Sequence, residues 1–352
     1  MSRPDVIIVG AGSAGCAAAA RLAAAGLRVE VLEAGPSDAH PLVKIPFGLV
    51  WLMGSKRDWA YRSAPQAALG GRQVGVPRGR MVGGSGSINS MVWFRGVRAD
   101  YDAWGLSDWS SDAVWNAFEE VEAAVRPGPL PAPHPLSRAL GTLFGANGQG
   151  VPTPERESAG PFVVNMEDGA RRSAADAFLR PAMATGQVRL RVGTEVDRLI
   201  LSEGRAVGVR LADGTELRAT AGVVLSAGAV AIPAVLMRAG IGPGAALQSL
   251  GIDVARDAPG VGANLHDHPA VAVHHAGPGS GYGLEGAQLG AWAMAPLQWL
   301  LARRGRFTSN TVEAGAFLRI DDDAPGPQAQ VHFLPAKLGW AGRAITWGAG
   351  YY

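Results

Sequence analysis

The chain has 352 residues, of which 47% are hydrophobic and 18% are charged, so it carries enough apolar material for a sizeable core. This composition excludes a disordered chain, and the length fits two domains or one large α/β domain with an attachment. The formal charge is +2, from 32 Lys and Arg against 30 Asp and Glu, which argues against a dedicated nucleic-acid-binding protein.

A strand, a helix and a second strand are predicted over residues 5–35. The run 6–9 is a short block of β-branched residues, which is typical of a buried parallel strand. The segment 13–25 is rich in alanine and is followed by Gly26, a residue type that often ends helices. Residues 28–32 form the second predicted strand. This β-α-β order is the opening unit of a dinucleotide-binding fold.

The turn between the first strand and the helix carries the strongest local signal, Gly-Ala-Gly-Ser-Ala-Gly at 10–15. Gly10 permits the tight turn, Gly12 lets the backbone approach a pyrophosphate, and Gly15 lets the helix pack close to the strand. The helix N-terminus offers free N–H groups to the phosphates. Glu33 ends the second strand, where a carboxylate suits ribose hydroxyls and disfavours the 2′-phosphate of NADP. The pattern predicts FAD or NAD as the ligand.

The pattern beyond residue 35 is mixed. Residues 36–110 are irregular, and 123–160 is a Pro- and Gly-rich stretch that is typical of a surface excursion. We find no internal repeat. The further predicted elements are helices over 108–124, 171–185, 232–239 and 291–302, strands and turns over 188–226 with a hairpin turn at Asp213–Gly214, and strands over 223–225 and 314–320.

Three further segments carry recognisable motifs. They are 79–96 (GRMVGGSGSINSMVWFRG), 226–242 (SAGAVAIPAVLMRAGIG) and 260–269 (GVGANLHDHP). In this order they resemble the signatures of the glucose-methanol-choline (GMC) flavin oxidoreductases. Ile232 and Ala239 depart from that pattern, because the family usually has hydroxyl residues there. Together with the first motif, the resemblance covers residues 5–270.

The resemblance implies an FAD-dependent oxidoreductase that moves a hydride from the carbinol carbon of an alcohol to flavin N5. Its partners would be a small-molecule alcohol and an electron acceptor of unknown type. The fold that it implies is α/β, with a Rossmann-like FAD-binding domain and a truncated α+β substrate domain built on an antiparallel sheet. The expected boundaries are 1–270 for the FAD-binding region, with substrate-domain excursions near 36–76 and 125–185, and 271–352 for the partial substrate-binding domain.

Individual residues match the family's cofactor positions. Gly83, Gly84 and Ser85 would lie along the diphosphate and the flavin, and Asn89 and Ser90 would lie beside the isoalloxazine. The whole expected cofactor-binding set is Gly10, Gly12, Ser13, Ala14, Gly15, Glu33, Ala34, Arg80, Val82, Gly83, Gly84, Ser85, Asn89, Ser90, Met91, Val92, Val196 (through its backbone, at the adenine), Ala227 and Gly228.

The attachment of the cofactor is expected to be non-covalent. Some members of the family carry a His that bonds covalently to FAD at the position of Ile88. An isoleucine side chain offers no nucleophile, so the resemblance implies FAD held by non-covalent contacts alone.

The catalytic residues stay unassigned. The family's catalytic His, with a His or Asn partner, belongs to a C-terminal region that no segment of this chain matches, so we expect that region to be absent. His134 is expected to be exposed in a Pro-rich loop, and His266 and His268 are interpreted as loop residues with a structural role. No metal site is expected.

Two other hypotheses remain open. The chain could be a catalytically inactive or unstable FAD-binding fragment, as the unmatched C-terminal region suggests. An NAD-dependent Rossmann dehydrogenase would explain residues 5–35 but would leave 77–96 and 226–268 unexplained. Bound flavin would exclude the dehydrogenase, and turnover of an alcohol with an artificial electron acceptor would separate an enzyme from a fragment.

Cysteine content and hydropathy indicate the cellular compartment in which we expect the protein. Cys16 is the only cysteine, so the chain cannot form an internal disulfide, which favours a reducing, cytoplasmic location. We expect no signal peptide at the N-terminus, because a strand-like run begins at Asp5. The longest apolar stretch, 222–237, is broken by Ser226 and Pro233 and is too short to span a bilayer. We therefore expect no integral membrane segment.

Overall fold

The chain forms two compact units, each assembled from three separate segments. The computed structural model describes residues 3–144, 150–277, 281–284, 286–336 and 350–351. The first unit comprises Met1–His40, Gly54–Ile88 and Ser173–Ala270. The second unit comprises Pro41–Met53, Asn89–Arg172 and Val271–Tyr352.

Most strands are short. The strands are β1 (Val6–Val9), β2 (Val29–Leu32), β3 (Tyr61–Arg62), β4 (Gly75–Val76), β5 (Gly128–Pro129), β6 (Ser158–Pro161), β7 (Val163–Val164), β8 (Met166–Glu167), β9 (Ala170–Arg171), β10 (Val188–Arg191), β11 (Val196–Ser202), β12 (Arg205–Leu211), β13 (Glu216–Arg218), β14 (Gly222–Leu225), β15 (Ile241–Gly242), β16 (Arg256–Asp257), β17 (His275–Ala276), β18 (Ala314–Leu318), β19 (Ala329–Phe333) and β20 (Gly350–Tyr351). Several follow one another without a helix between them, as β6–β9 and β10–β14 do.

The helices range from single turns to seventeen residues. The α-helices are Ser13–Ala24, Pro41–Lys44, Leu49–Leu52, Arg98–Asp102, Ser111–Val125, Pro135–Leu140, Arg180–Ala184, Gly228–Arg238, Gly244–Ser249 and Gly286–Ala302, and Ala175–Leu179 is a π-helix. The 3-10 turns are Pro46–Gly48, Ala67–Leu69, Gly84–Ser87, Ser107–Trp109, Gly141–Phe144 and Arg306–Thr308.

The first unit is organised by a parallel four-stranded sheet in the order β10-β2-β1-β14. In the central strand β1, Val6 pairs with Val29 on one side and with Gly222 on the other. All four side chains of β1 are buried. A parallel strand that is buried throughout has both of its faces covered, as the unbroken β-branched run predicts.

The two faces of β1 pack against different partners. Val6 and Ile8 contact the helix Ser13–Ala24 through a cluster that includes Cys16 and Ala19. Ile7 and Val9 face the opposite way, since side chains alternate along a strand, and they join a cluster that includes Val209. Small alanine side chains let the helix lie close to the sheet, and that closeness fixes the position of the turn between them.

A second sheet of the first unit is an antiparallel meander, β11-β12-β13. The turn between β12 and β13 contains Asp213 and Gly214, as predicted, and Gly214 has φ +88°. Asp213 accepts a hydrogen bond from the Thr215 N–H at 2.9 Å, which closes an Asx turn. The meander thus supplies a hydrophobic face to the parallel sheet.

The helix predicted over 171–185 begins later than expected. Arg171 belongs to strand β9, and the helical conformation starts at Ala174. Ser173 explains the boundary: its backbone N–H and its hydroxyl both donate to the Asp176 carboxylate, at 2.9 and 3.0 Å. This local bonding at the helix start resembles a capping box and holds Ser173 outside the helix.

The second unit contains the antiparallel sheet β19-β18-β6. Its cores are formed by small clusters, one around Phe162 and Tyr282 and another around Phe47 and Trp299. The first unit thus combines a parallel sheet with an antiparallel meander, and the second unit contains an antiparallel sheet, which confirms the predicted α/β fold with an α+β attachment. Within the ranges described above, no helix is both long enough and apolar enough to cross a membrane.

Candidate functional site

The turn that leaves β1 exposes backbone N–H groups at the start of a helix. Gly10 adopts φ +96°, and Gly12 is the N-cap of the helix Ser13–Ala24 without any side chain to cap it. The first helical turn contains no acidic residue. Such an uncapped N-terminus, with its positive dipole end, is suited to bind an anion such as a phosphate.

The three glycines of this turn meet different surroundings. A methyl group on Gly10 would lie 2.8 Å from the Ser226 carbonyl oxygen, and one on Gly15 would lie 2.0 Å from the Gly10 carbonyl oxygen. On Gly12 the nearest atoms would be 3.8 Å away or more. Gly10 and Gly15 are therefore required by the protein's own packing, whereas Gly12 borders open space that a ligand can occupy.

A second glycine turn closes against the first. Gly83 N–H donates to the Ala11 carbonyl at 2.7 Å, and a methyl group on Gly84 would lie 2.8 Å from the Gly12 Cα. Gly83 and Gly84 both have positive φ, at +85° and +55°. Backbone from two distant motifs thus lies side by side at the helix N-terminus.

Glu33 is buried at the end of β2, with 6% of its surface exposed. One carboxylate oxygen accepts from Ala11 N–H and the other accepts from Gly35 N–H, each at 2.9 Å. Burial raises the pKa of Glu33, and the hydrogen bonds from Gly35 and Ala11 oppose that rise. Each oxygen keeps one lone pair, so the carboxylate can accept hydroxyl groups from a ligand while it holds the glycine turn.

These elements surround one cavity with a volume of about 540 Å³, within the size range of small-molecule sites. Every residue that lines it belongs to the first unit. Of the expected cofactor-binding residues, those that line it are Gly10, Gly12, Ser13, Ala14, Glu33, Ala34, Gly84, Ser85, Val196, Ala227 and Gly228.

The other expected residues lie elsewhere. Four of them belong to the first unit but are not among the described residues that line the cavity: Gly15, Arg80, Val82 and Gly83. Val82 is buried in the core around the first helix. The remaining four, Asn89, Ser90, Met91 and Val92, belong to the second unit.

A group of aromatic and charged side chains also borders the cavity. The Trp59 ring stacks on Tyr61 with centroids 5.6 Å apart, and the Arg80 guanidinium lies 4.8 Å from the Trp59 ring centre. Arg80 also forms an ion pair with Glu195 at 3.5 Å. Trp59, Tyr61 and Glu195 line the cavity. Flat aromatic surface with a nearby cation is suited to stack a heteroaromatic ring.

Asp58 holds this loop in place. It is 7% exposed and accepts from the backbone N–H groups of Gly54, Ala60 and Arg78, at 2.8, 2.9 and 2.8 Å. Three backbone donors satisfy the buried carboxylate, which would otherwise be costly to desolvate. Asp58 therefore fixes the backbone on both sides of Trp59.

Several lining residues were missed by sequence reasoning, including Arg78, Thr194, Ser226 and Arg238. One signal was available for Ser226. It follows strand β14, and the carboxyl ends of parallel strands meet at one edge of a sheet, where ligands bind. The Ser226 hydroxyl donates to the carbonyls of Val9 and Gly10, at 2.9 and 2.8 Å.

The histidines include one correction. His134 is half-buried rather than exposed: its Nδ1 accepts from Leu136 N–H at 3.2 Å, and its ring packs edge-on against Tyr282. Burial lowers its pKa. His266 and His268 are exposed. In the described part of the chain, no group of three His, Cys, Asp or Glu side chains is placed to hold a metal ion.

Comparison with known proteins adds a family and relatives. The sequence model of the GMC oxidoreductase family matches residues 4–270. An oxygen-dependent choline dehydrogenase from Rhizobium johnstonii is 36% identical over 380 aligned residues, which cover 99% of this chain and 68% of the relative. A protein of the same name from Photobacterium profundum is 34% identical over 99% of this chain and 66% of its own length.

Solved structures share the fold. Pyridoxine 4-oxidase from Mesorbium loti superposes with a TM-score of 0.77 and 28% identity, covering 99% of this chain and 70% of that protein. A formate oxidase variant from Aspergillus oryzae RIB40 superposes with a TM-score of 0.82 and 25% identity, covering 99% of this chain and 72% of that protein. The chain spans about two thirds of the length of these relatives.

Proposed function

The chain belongs to the GMC oxidoreductase family and is an FAD-dependent oxidoreductase acting on CH–OH groups, and we propose that its FAD binds in the cavity of the first unit. The observation that carries this placement is the pair of glycine turns beside the buried carboxylate of Glu33. Their open backbone at Gly12 and the free helix N–H groups fit a diphosphate. The proposed cofactor-binding residues are those expected from the sequence.

Each part of the cavity suits one part of the cofactor. The N-terminus of the helix Ser13–Ala24 would bind the diphosphate, and Glu33 would accept hydrogen bonds from ribose hydroxyls. Val196, with Trp59 and Tyr61 nearby on the cavity wall, would border the adenine. Because Glu33 is acidic and buried, a ribose 2′-phosphate would be repelled there, which favours FAD over a phosphorylated dinucleotide.

When bound, FAD supplies the hydride acceptor for oxidation of the alcohol. The protein must then hold the carbinol carbon in place and provide a group that accepts the hydroxyl proton, because hydride loss from a neutral alcohol would leave a cationic carbon. Backbone N–H groups that line the cavity would stabilise negative charge on the bound cofactor.

The attachment is proposed to be non-covalent, since Ile88 is an apolar side chain that is 5% exposed. Acid precipitation of the purified protein should release the flavin into the supernatant. Flavin that stays with the precipitated polypeptide would contradict this attachment while leaving the cofactor itself in place.

The substrate is proposed to be an alcohol of the choline type, because the relatives with 34–36% identity are named choline dehydrogenases. A reducing, cytoplasmic compartment is proposed from the single cysteine.

The deciding experiment is a visible absorption spectrum of the purified protein after gel filtration, followed by an alcohol assay. A flavin spectrum that co-elutes with a compact species is expected, and choline with an artificial electron acceptor is the first assay. A compact, colourless protein that takes up no added FAD would contradict the proposed site. Bound flavin without turnover of any alcohol would support the alternative of an inactive FAD-binding chain.

A further inference from the structure

We propose that Arg78 binds the diphosphate of FAD in the cavity of the first unit, with its guanidinium as the counter-charge. The inference rests on the proposed function, because it takes that cavity as the FAD site. Arg78 lies outside the expected cofactor-binding set, which includes its near neighbour Arg80 instead. Every contact that carries the inference lies within the first unit.

The charged side chains of the cavity wall differ in how they are paired. Glu195 pairs with Arg80 at 3.5 Å, and Arg238 pairs with Asp197 at 3.0 Å. The carboxylate of Glu33 is held by two backbone N–H groups. The charged residues that line the cavity are Glu33, Arg78, Glu195 and Arg238.

The Arg78 guanidinium is the exception among these groups. In the described part of the chain it has no carboxylate partner, and its one hydrogen bond runs from Nη1 to the Pro77 carbonyl at 2.8 Å. Arginine carries several N–H donors in a planar fork, so most of them remain for a ligand. Arg78 is partly buried. A partly desolvated cation without a counter-charge favours an anion beside it.

The backbone of Arg78 is held by the loop that carries Trp59. The Arg78 N–H donates to the Asp58 carboxylate at 2.8 Å, and the Arg78 carbonyl accepts from the Trp59 N–H at 2.8 Å. Both bonds use main-chain atoms of Arg78, so they do not depend on its side chain. The fold thus fixes the position of residue 78 but makes little use of its charge.

Arg78 also lies next to the point where the two glycine turns meet. The Gly79 N–H donates to Ser85 Oγ at 3.2 Å, and a methyl group on Gly79 would lie 2.2 Å from the Gly84 carbonyl oxygen. Gly84 in turn packs against Gly12, the N-cap of the first helix. Residue 78 and the free N–H groups of that helix therefore border neighbouring parts of one cavity.

A diphosphate needs a full positive charge in this cavity. It carries negative charge on both phosphates, and the buried carboxylate of Glu33 lies on the same cavity wall. The helix N-terminus contributes only about half of an elementary charge. A guanidinium supplies a whole charge, and two of its N–H groups can bind phosphate oxygens in parallel. Arg78 is the lining cation whose charge the protein leaves available for this purpose.

The first test measures ligand affinity in the cofactor-free protein with and without this charge. Arg78→Met removes the guanidinium and keeps the main-chain bonds. Arg62→Met is the matched control, because Arg62 is an exposed residue of β3 that has no carboxylate partner among the described residues and does not line the cavity. Both changes remove one positive charge. We expect Arg78→Met to bind FAD at least about tenfold more weakly, and Arg62→Met to match wild type.

Fragments of the cofactor show which part of it Arg78 binds. ADP contains the diphosphate, whereas adenosine and riboflavin contain no phosphate. Arg78→Met should weaken the binding of ADP by a factor similar to that for FAD, and it should leave the affinities for adenosine and riboflavin unchanged. An equal loss for adenosine would mean that residue 78 acts on the base or on the shape of the cavity, and would overturn the inference. Full affinity of Arg78→Met for FAD and ADP would overturn it as well.

A conservative variant and a salt series test the charge itself. Arg78→Lys keeps the charge but not the planar fork, so its affinity for FAD should lie between those of wild type and Arg78→Met. Added salt should weaken FAD binding less in Arg78→Met than in wild type, because that variant lacks the charge that salt screens. The same salt dependence in both proteins would contradict a phosphate contact. Should Arg78→Met fail to fold, Arg78→Gln takes its place with the same expectations.

The outcomes separate this inference from the proposed function. A folded wild-type chain that binds neither FAD nor ADP contradicts both, and it does so before any variant is made. Wild-type protein that binds FAD, together with an Arg78→Met variant of equal affinity, keeps the proposed function and removes only Arg78 as the phosphate-binding residue.

Discussion

Some side chains in this protein bind backbone N–H groups and also line the cavity in which we propose that FAD binds. Glu33 is the clearest case, because its two oxygens bind the N–H groups of Ala11 and Gly35 and it also lines the cavity. The sequence predicted its place at the end of β2, and its ribose ligand stays a prediction. It could not predict the two backbone bonds, because they depend on how the loops after β1 and β2 fold back on the carboxylate.

Replacing Glu33 by Ala should weaken FAD binding by about 1.5–3 kcal/mol, the range for a lost hydrogen bond to a charged group. The matched control is Glu30→Ala on the same strand, because Glu30 pairs with Arg189 and Arg191 at 4.0 and 3.6 Å and does not line the cavity. Titration of each purified variant with FAD measures the change. Equal affinities for the two variants would argue against Glu33 as the ribose acceptor.

The pKa of Glu33 also makes a prediction about stability. Burial raises that pKa in the folded protein, so the folded state binds the proton more tightly than the unfolded chain does. In the cofactor-free protein, the free energy of unfolding should therefore fall as pH rises above the ordinary glutamate pKa of about 4.3 and through the raised pKa. Glu33→Gln should reduce that fall. Urea denaturation of both proteins across this range measures it, and identical pH slopes would contradict the assignment.

At the scale of elements, the site depends on turns that bring distant segments together. The first β-α-β unit was predicted closely, since alanine content, glycine spacing and the β-branched run all act locally. Local sequence patterns could not predict how closely Gly84 approaches Gly12, where a methyl group on Gly84 would lie 2.8 Å from the Gly12 Cα. So was the role of Asp58, which binds three backbone N–H groups and fixes the loop that carries Trp59.

Two glycines of one turn should respond in opposite ways to the same change. Gly12→Ala adds a methyl group with no atom closer than 3.8 Å, so the protein should fold and lose FAD affinity. Gly15→Ala places its methyl group 2.0 Å from the Gly10 carbonyl oxygen, so it should destabilise the protein itself. Thermal unfolding and FAD titration of both variants give the comparison. Full FAD affinity in a folded Gly12→Ala protein would remove the diphosphate from this turn.

At the scale of the molecule, segments of the two units alternate along the sequence, so that neither unit is one continuous stretch of chain. Composition and length were compatible with two domains. The family resemblance implied that segments of the substrate domain interrupt the sequence of the FAD-binding domain. The crossing points themselves, after His40, Met53, Ile88, Arg172 and Ala270, carry no common sequence signal. Such boundaries depend on long-range packing, whereas strands and helices depend more on local patterns in the sequence.

Added FAD should stabilise the whole chain by mass action. A ligand that binds only the folded state at a hundredfold excess over its Kd raises the free energy of unfolding by about 2.7 kcal/mol. Thermal scans at increasing FAD concentration should show a rising midpoint, and riboflavin, which lacks the diphosphate and adenosine, is the control. A midpoint that is insensitive to FAD in the cofactor-free protein would contradict binding to the folded state.

Cys16 gives the diphosphate turn a chemical reporter of its own. The thiol is fully buried, its Sγ donates to the Ala11 carbonyl at 3.3 Å, and burial raises its pKa to about 12. At neutral pH a maleimide or disulfide reagent can therefore react only when the turn between β1 and the first helix opens. The labelling rate of this single cysteine measures how often that turn opens, and bound FAD should slow it without any engineered probe.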